Sequence, residues 1–240
     1  MRRSAKGFTL IEVTIILLVL VILSGILLPT IERFIDLARY VKVKEDLGMF
    51  ATIIELWKVD NCSRFFKQNG RSPVSNQTNR VDLLISDPNV SSQPAIDPAP
   101  GPSWGTNVSF WATNYPNLTP VVVDLMENQL VLNQPMGNPS YSYPPPTTNP
   151  SSCGWRGAYI TGPLGTDPWG TRYMANVAFL GTDDGGYNSR LLGAPSPAAF
   201  QQMDVFVLSA GPDKTVSTHF TVDGVIAQKD DLIALVNGGF

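Results

Sequence analysis

An apolar run extends from Phe8 to Leu28 and contains a single charged residue, Glu12. An α-helix rises about 1.5 Å per residue, so a helix over this run would cross the roughly 30 Å apolar core of a bilayer. Arg2, Arg3 and Lys6 precede the run, and positive residues favour the cytoplasmic side of a membrane. The pattern therefore predicts one membrane-spanning helix with the rest of the chain outside the cytoplasm. A removable secretory signal is less favoured, because its apolar core is usually shorter and ends in small residues.

Beyond Pro29, apolar residues recur every three or four positions as far as Trp57, which predicts that the helix continues. Proline lacks an amide donor and its ring clashes with the preceding turn, so Pro29 is predicted to break or kink the helix unless packing compensates. We therefore predict an amino-terminal helix over residues 8–58, transmembrane over 8–28 and amphipathic over 29–58.

Residues 59–153 are rich in Pro, Asn, Ser and Gly, which disfavours regular helix and restricts strands to sheet edges. We predict a loop-rich variable region here, in which VSFWAT and PVVVDLMENQLVL form short strands or one short helix. Aromatic residues of this region could stack against a sugar or a partner protein, although aromatic side chains that fix loops to a core are commoner. They are Trp104, Trp111, Tyr115, Tyr141 and Tyr143.

Residues 154–240 contain short apolar or alternating runs separated by Gly, Asp, Pro and Ser. The runs are GAYI, TRYMANVAFL, MDVFVLSA and DLIALV. This pattern is typical of antiparallel strands that pack on a helix. The predicted fold class is α+β, with a long amino-terminal helix packed on a carboxy-terminal antiparallel sheet and a large loop-rich insertion between them.

Net charge bears on the partners of the chain, and the cysteines bear on its redox environment. The net charge of −3 gives no basic surface for nucleic acid, so a nucleic-acid partner is not expected. Cys62 and Cys153 are the two cysteines of the chain. In an oxidising compartment, one disulfide between them is favoured over two free thiols.

The sequence contains few of the residue patterns that form enzyme active sites. His219 is the one histidine, and neither a nucleophile motif, a zinc-ligand spacing nor a phosphate-binding glycine loop accompanies it. Asp183 and Asp184 lie in GTDDGGYN, where turn chemistry explains them better than acid–base catalysis. We therefore do not expect an enzyme.

Glu12 is the unusual residue of the apolar run. An unpaired Glu costs about 2.5 to 3.5 kcal/mol at the centre of a bilayer and less towards its surface. The carboxylate could reach the cytoplasmic interface beside Lys6. The other interpretation is that it has a specific partner.

The residues around Glu12 point to such a partner. GFTLIE, from Gly7 to Glu12, together with the basic leader, the apolar run and Pro29, resembles the processing site of type IV pilins and type II secretion pseudopilins. The resemblance implies that a prepilin peptidase removes residues 1–7 by cleavage between Gly7 and Phe8, and that the new Phe8 amine is methylated. Glu12 would then pair with the amine of its own chain or, in a filament, with that of a neighbouring subunit.

Three motifs in the second half of the chain narrow the resemblance to one group within this family. TDPWGTRY, VLSAGPDKT and the late DDLIALV are similar to the head of major pseudopilins of type II secretion. That family holds a calcium ion in this region, which implies Asp213, Asp230 and Asp231 as candidate ligands. Lys214 stands where the family usually has Gly, and the following loop lacks the usual glycines. The alternative is that Asp213 caps a turn while the acidic pair is solvated.

The resemblance implies a structural subunit of a pilin-like filament, and it favours a type II secretion pseudopilin. It would be anchored in the bacterial inner membrane with a periplasmic head and then polymerised. Expected partners are further copies or other pilin-like subunits, the prepilin peptidase, the membrane and an inner-membrane assembly platform. The alternatives are a type IV minor pilin and a membrane-anchored adhesive or binding module.

Overall fold

The computed structural model describes residues 7–62, 65–72, 79–86, 95–96, 122–148, 152–161, 164–177, 180, 205–218, 227 and 229–236. The chain divides into two compact units, one ending at Lys42 and one beginning at Val43. The leader before Gly7 lies outside the described residues, and so do VSFWAT, Trp104, Trp111, Tyr115, Asp183, Asp184 and His219.

A single helix, α1, runs from Leu10 to Asn61 and is 52 residues long. It is helical on both sides of Pro29, so the predicted break is absent. Pro29 lacks an amide donor, and the helix is nevertheless assigned without interruption through it. The Thr30 hydroxyl also donates to the Ile26 carbonyl within the same turn. The helix ends three residues later than the predicted position 58, and Cys62 follows in a left-handed conformation with φ of 45°.

In the unit that begins at Val43, one face of α1 lies in the hydrophobic core. Its buried residues follow helical spacing, because residues three and four apart share a face. Burial of a large apolar side chain contributes about 1.5 to 3 kcal/mol, so this face is a major stabilising element of the head. The residues are Val43, Leu47, Phe50, Ala51, Ile53, Ile54 and Trp57.

The head contains a five-stranded sheet in the order β3-β1-β4-β5-β7. β1 pairs with β3 in parallel, and the other neighbours are antiparallel. The carboxy-terminal strands β4, β5 and β7 are antiparallel, as predicted, and the parallel pair of β1 and β3 makes the whole sheet mixed. The strands are β1 Leu83–Ile85, β3 Val123–Leu125, β4 Met174–Ala175, β5 Val205–Ser209 and β7 Leu232–Val236.

The parallel strands β1 and β3 both lie in the region 59–153, which was predicted to be loop-rich with short strands or one short helix. All three residues of β1 are buried, and β1 also pairs with β4. In PVVVDLMENQLVL the chain forms both a strand and a helix, since β3 is followed directly by α2, Met126–Leu130. Two 3-10 turns follow, Pro135–Gly137 and Pro139–Tyr141.

Two more strands form a separate small sheet. β2, Ala95–Ile96, pairs in parallel with β6, Thr215–Val216. Of the runs predicted as strands in residues 154–240, MDVFVLSA and DLIALV form β5 and β7, and TRYMANVAFL forms the two-residue β4. GAYI forms no strand, and the Tyr159 amide donates to the carbonyl of Leu130, the last residue of α2.

Candidate functional site

The amino terminus of α1 is closed by a reciprocal contact between Thr9 and Glu12. The Thr9 amide and hydroxyl both donate to Glu12 Oε2, at 2.8 and 2.7 Å, and the Glu12 amide donates to Thr9 Oγ1 at 3.3 Å. This is a capping box, in which a Thr and a Glu three residues apart satisfy amide groups that the first helical turn leaves open. Glu12 therefore has hydrogen-bond donors in its own chain.

The predicted cleavage site lies just before this cap. Gly7 and Phe8 are exposed and non-helical, and space around Gly7 is open. An exposed peptide bond outside regular secondary structure is accessible to a peptidase. From Phe8 onward the apolar side chains of this unit are also exposed, and α1 is long and apolar enough to cross a membrane. The bilayer is the environment that would cover such a surface.

In the head, the DPWG turn is organised by the buried carboxylate of Asp167. Asp167 Oδ1 accepts hydrogen bonds from the amides of Trp169 and Thr171, at 3.0 and 2.8 Å. Asp167 Oδ2 accepts from the hydroxyls of Thr171 and Ser209, the latter at 2.7 Å. Because Ser209 is the last residue of β5, the carboxylate joins the DPWG turn to the SAGPD turn that follows β5.

The SAGPD turn in turn contacts the acidic pair before β7. Gly211 has φ of 66° and packs so closely on the Asp230 carbonyl that a Cβ atom would overlap it. The Asp213 amide donates to Asp230 Oδ2 at 2.9 Å, and Asp213 Oδ1 accepts from the Thr215 amide at 2.7 Å. Glycine is thus required at position 211 both by conformation and by space.

Asp231 lies deeper, with 5% of its surface exposed. Its Oδ2 accepts from the amides of Ser217 and Thr218, at 2.8 and 2.6 Å, while its buried Oδ1 has no hydrogen-bond partner among the described residues. Burial raises the pKa of the Asp231 carboxyl, the nearby Asp230 acts in the same direction, and the hydrogen bonds oppose it.

These contacts bear on the expected calcium ligands. Calcium takes six to eight oxygen ligands, several of them from carboxylates that face one point. Asp213, Asp230 and Asp231 each accept at least one backbone amide through one carboxylate oxygen. Within the described part of the chain, no three Asp, Glu, His or Cys side chains are grouped so that they could hold a metal ion. Bound calcium at these carboxylates stays a prediction of the resemblance.

The two cysteines are bonded to each other at the end of α1. Cys62 and Cys153 form a disulfide with their Cα atoms 5.3 Å apart, which closes a loop with a sequence separation of 91 residues. Two contacts to Asp60 lie beside it. The Gly154 amide donates to the Asp60 carbonyl at 2.8 Å, and Arg156 Nε is 3.2 Å from Asp60 Oδ1.

A group of aromatic side chains in mutual contact extends from the carboxy-terminal end of α1 into the core of the head. Trp57 is stacked on Phe66 and makes an edge contact with Tyr143, whose hydroxyl donates to Gln129 Oε1 at 2.8 Å. Tyr143 is buried, so of the two candidate stacking residues in the described region it serves the core. Tyr141 is half-buried and closes the second 3-10 turn.

Thr9, Asp167 and Ser209 were not identified as site residues from the sequence. A local signal existed for Thr9, because T-x-x-E before an apolar run is a capping-box pattern. Asp167 and Ser209 lie in the motifs that carried the resemblance, but their mutual contact spans 42 residues and leaves no local pattern.

Two comparisons with known proteins bear on these features. Residues 2–28 match the family model described as the prokaryotic N-terminal methylation motif. The chain is 27% identical over 119 residues to the type II secretion system core protein G of Pseudomonas aeruginosa, and the aligned region covers 50% of this chain and 77% of that protein. The chain carries a prepilin-type methylation motif and is similar to a type II secretion pseudopilin.

Two further relatives carry the same name. The chain is 25% identical to the type II secretion system core protein G of Klebsiella michiganensis over 119 residues, with the same coverage of both chains. The protein of that name from Pectobacterium carotovorum is 25% identical over 115 residues, which cover 48% of this chain and 67% of the relative. No solved structure matches the chain significantly. The amino-terminal motif, the apolar helix and the similarity to core protein G together indicate a single-pass inner-membrane protein with its head in the periplasm.

Proposed function

We propose that this pseudopilin is a structural filament subunit of a type II secretion system, stored in the inner membrane and polymerised after cleavage between Gly7 and Phe8. The observation that carries the proposal is the position of Glu12. Its carboxylate lies in the first turn of a membrane-length helix, four residues after Phe8, the first residue beyond the predicted cleavage site. The N-terminal methylation motif and the similarity to core protein G support the proposal.

The capping box suits storage in the membrane. Two donors of Thr9 contact the Glu12 carboxylate, so its charge is not left without hydrogen bonds when the helix is inserted. An unpaired Glu costs about 2.5 to 3.5 kcal/mol at the bilayer centre, and internal donors reduce such a cost. The contact uses only atoms on the carboxyl side of the predicted cleavage site, so it is available before and after processing.

Cleavage would add a positive charge beside this carboxylate. The new amine of Phe8 can pair with Glu12 of its own chain or with Glu12 of a neighbouring subunit. Two opposite charges about 4 Å apart are worth roughly 4 kcal/mol at an effective dielectric constant of 20. Only pairing with a neighbour sets an axial stagger between subunits. We therefore assign Glu12 the role of an assembly residue.

The head supplies the part of the subunit that remains outside the membrane. It has a continuous core and a disulfide at the end of α1, both of which favour a rigid unit in an oxidising compartment. The proposed partners are other copies of this chain or other pilin-like subunits, a prepilin peptidase and an inner-membrane assembly platform. The role is mechanical, and we assign no catalytic residue.

The test is complementation of a strain that lacks this gene. We expect the wild-type chain to restore export of the proteins that the secretion system handles, and to yield filaments on shearing when it is overproduced. A Glu12→Ala chain should remain membrane-held and restore neither. If the gene is dispensable for export but required for adhesion or motility, the type II secretion proposal is wrong and a type IV pilin is the better assignment.

A further inference from the structure

A short proline-rich stretch, SYPPPTT, lies on the surface of the head and is called here the proline segment (residues 142–148). Its first residue, Ser142, has φ of −50° and ψ of 139°, close to polyproline II. A residue that precedes a proline is confined to extended or polyproline II conformations, and a proline ring fixes φ at about −65°. Tyr143, Pro144 and Pro145 each precede a proline. The segment is therefore a short polyproline II helix.

One side of the proline segment faces the head and the remainder faces solvent. A polyproline II helix has about three residues per turn, so residues three apart share a side. Tyr143 is buried and Pro146 is half-buried, and these two define the inward side. The exposed positions are Pro144, Pro145, Thr147 and Thr148.

Contacts with the chain around Cys153 hold the backbone of the segment in place. The Trp155 amide donates to the Pro144 carbonyl at 2.9 Å, and the Ser152 hydroxyl donates to the Thr147 carbonyl at 3.1 Å. Gly154 packs so closely on the backbone of the three prolines that a Cβ atom there would overlap it. A partner that binds a segment already held in its bound conformation loses little affinity to the ordering of that segment.

The exposed side of the segment offers apolar rings and hydrogen-bond acceptors. Prolines have no amide donor, and neither the Pro145 nor the Pro146 carbonyl accepts a hydrogen bond from a residue that the structure describes. Aromatic side chains match such a surface, because their rings pack on proline rings while the N–H of Trp or the O–H of Tyr donates to a carbonyl. The surface thus selects a groove lined by aromatic side chains.

A positive charge lies at one end of the segment. The segment itself is uncharged, and the exposed side chain of Arg71 donates from its guanidinium to the Ser142 hydroxyl at 3.4 Å. Complementary charges orient partners and exclude wrong ones. An acidic side chain at the matching end of the groove would fix the direction in which the segment binds.

We propose that the proline segment is a docking surface for another protein, whose groove is lined by aromatic side chains and carries an acidic group opposite Arg71. The large insertion of this chain thereby has a role in recognition, and the disulfide loop presents its binding element in a fixed conformation. The proposal goes beyond filament assembly and does not depend on it, because it concerns a surface of the head outside α1.

The first test is photo-cross-linking of the full chain in membranes of the cells that express it. The photoreactive residue p-benzoylphenylalanine replaces Thr148, which is exposed and leaves the prolines intact. We expect an adduct with one other protein, whose cross-linked peptide contains Trp or Tyr by mass spectrometry. An excess of the synthetic peptide SYPPPTT should lower the adduct yield several-fold, and the peptide SYAAATT should leave it unchanged.

Three results of this experiment would overturn the proposal. They are the absence of an adduct, an adduct that both peptides leave unchanged, and an adduct formed only with a second copy of this chain. The last would make the segment a contact between subunits.

The second test changes the segment in the photoreactive chain. Pro145→Ala should lower the adduct yield several-fold, because it removes an exposed ring and frees the backbone. Pro139→Ala is the matched control, since it removes an exposed proline outside the segment and should keep the full yield. Equal yields in the two variants would contradict docking through the prolines.

A further variant tests the charge, and one measurement guards against misfolding. Arg71→Gln should lower the adduct yield, and an unchanged yield would contradict the acidic group of the partner. All three variants should keep the thermal midpoint of the parent chain, because the side chains that they change are exposed. If Pro145→Ala does not fold, the peptide competition decides, since it uses the chain with all its prolines.

Discussion

The buried carboxylate of Asp167 accepts a hydrogen bond from the Ser209 hydroxyl at 2.7 Å, and this contact joins two turns that are far apart in sequence. One is the DPWG turn before β4, and the other is the SAGPD turn after β5. The Ser209 Oγ atom also accepts from the Gly211 amide at 3.3 Å, so the contact continues into the turn that faces Asp230. Asp167 is thus the residue on which the order of this part of the head depends.

Asp167→Ala should lower the free energy of unfolding by about 3 to 5 kcal/mol, because it leaves several buried donors without acceptors. Ser209→Ala removes one of these contacts and should cost about 1 to 2 kcal/mol. Chemical denaturation of the two variants measures the difference. A loss of less than about 1 kcal/mol in Asp167→Ala would mean that water or other groups satisfy the donors.

Gly7→Val should block processing. A branched side chain at the residue before the scissile bond is expected to prevent the peptidase from binding it, so the basic leader stays attached and the chain remains in the membrane. Ser4→Val adds similar bulk within the leader and should be processed normally. Intact-mass measurement of purified protein checks both, and a wild-type mature chain that begins anywhere other than Phe8 would refute the predicted site.

Substitutions at Glu12 separate the role of its carboxylate in capping α1 from the role of its negative charge. Glu12→Gln keeps an oxygen that can accept from Thr9 but loses the negative charge, whereas Glu12→Ala loses both. Both should anchor and be processed, since the apolar run and the scissile residues are unchanged. If the charge sets subunit register, neither variant should form filaments, and the ratio of sheared filament to processed membrane-held subunit measures this.

The outcome of the Glu12 variants distinguishes the possible pairings. Abundant filaments from Glu12→Ala alone would contradict an assembly role and would favour a carboxylate that only reaches the interface. Normal assembly of Glu12→Gln with failure of Glu12→Ala would assign the effect to the cap. Thr9→Val, which keeps the amide but removes the hydroxyl, should then weaken assembly as well.

The disulfide should stabilise the head through the length of the loop that it closes. The chain-entropy model assigns about 4 to 5 kcal/mol to a loop of this size, as an upper limit. Cys62→Ser with Cys153→Ser should approach that loss, which chemical denaturation of the variant and the wild type measures. Alkylation of both thiols in wild-type protein unfolded without reductant would show that the bond does not form.

Alkaline pH should destabilise the head through Tyr173. Burial, together with the hydrogen bond that its hydroxyl donates to Asp46, raises the pKa of Tyr173 above its ordinary value. The unfolded chain loses this proton near pH 10 while the folded chain retains it, so stability falls as pH rises above about 10. Tyr173→Phe removes the titrating group, and its unfolding free energy should fall less steeply over that range. Equal slopes for the two proteins would contradict the shift.

The sequence by itself determined the amino-terminal quarter of this protein, as far as the end of α1 at Asn61. The membrane span, the long helix, the cleavage site and the position of Glu12 depend on residues that are adjacent or one helical turn apart. Helical and membrane-spanning structure depends on such short-range patterns, which can be read directly from the chain. Pro29 was the exception, because the predicted break is absent and α1 continues through it.

Only the tertiary structure decided how the head is built. β1 and β3 are three residues each, and β2 and β6 are two, so none carries a period long enough to recognise. Their pairing joins residues as distant as Ala95 and Thr215, and the contact of Asp167 with Ser209 is likewise non-local. Such contacts form because the folded core brings together buried edges and polar groups that must find partners. Partner choice at that distance depends on the whole fold, and no local stretch of the sequence encodes it.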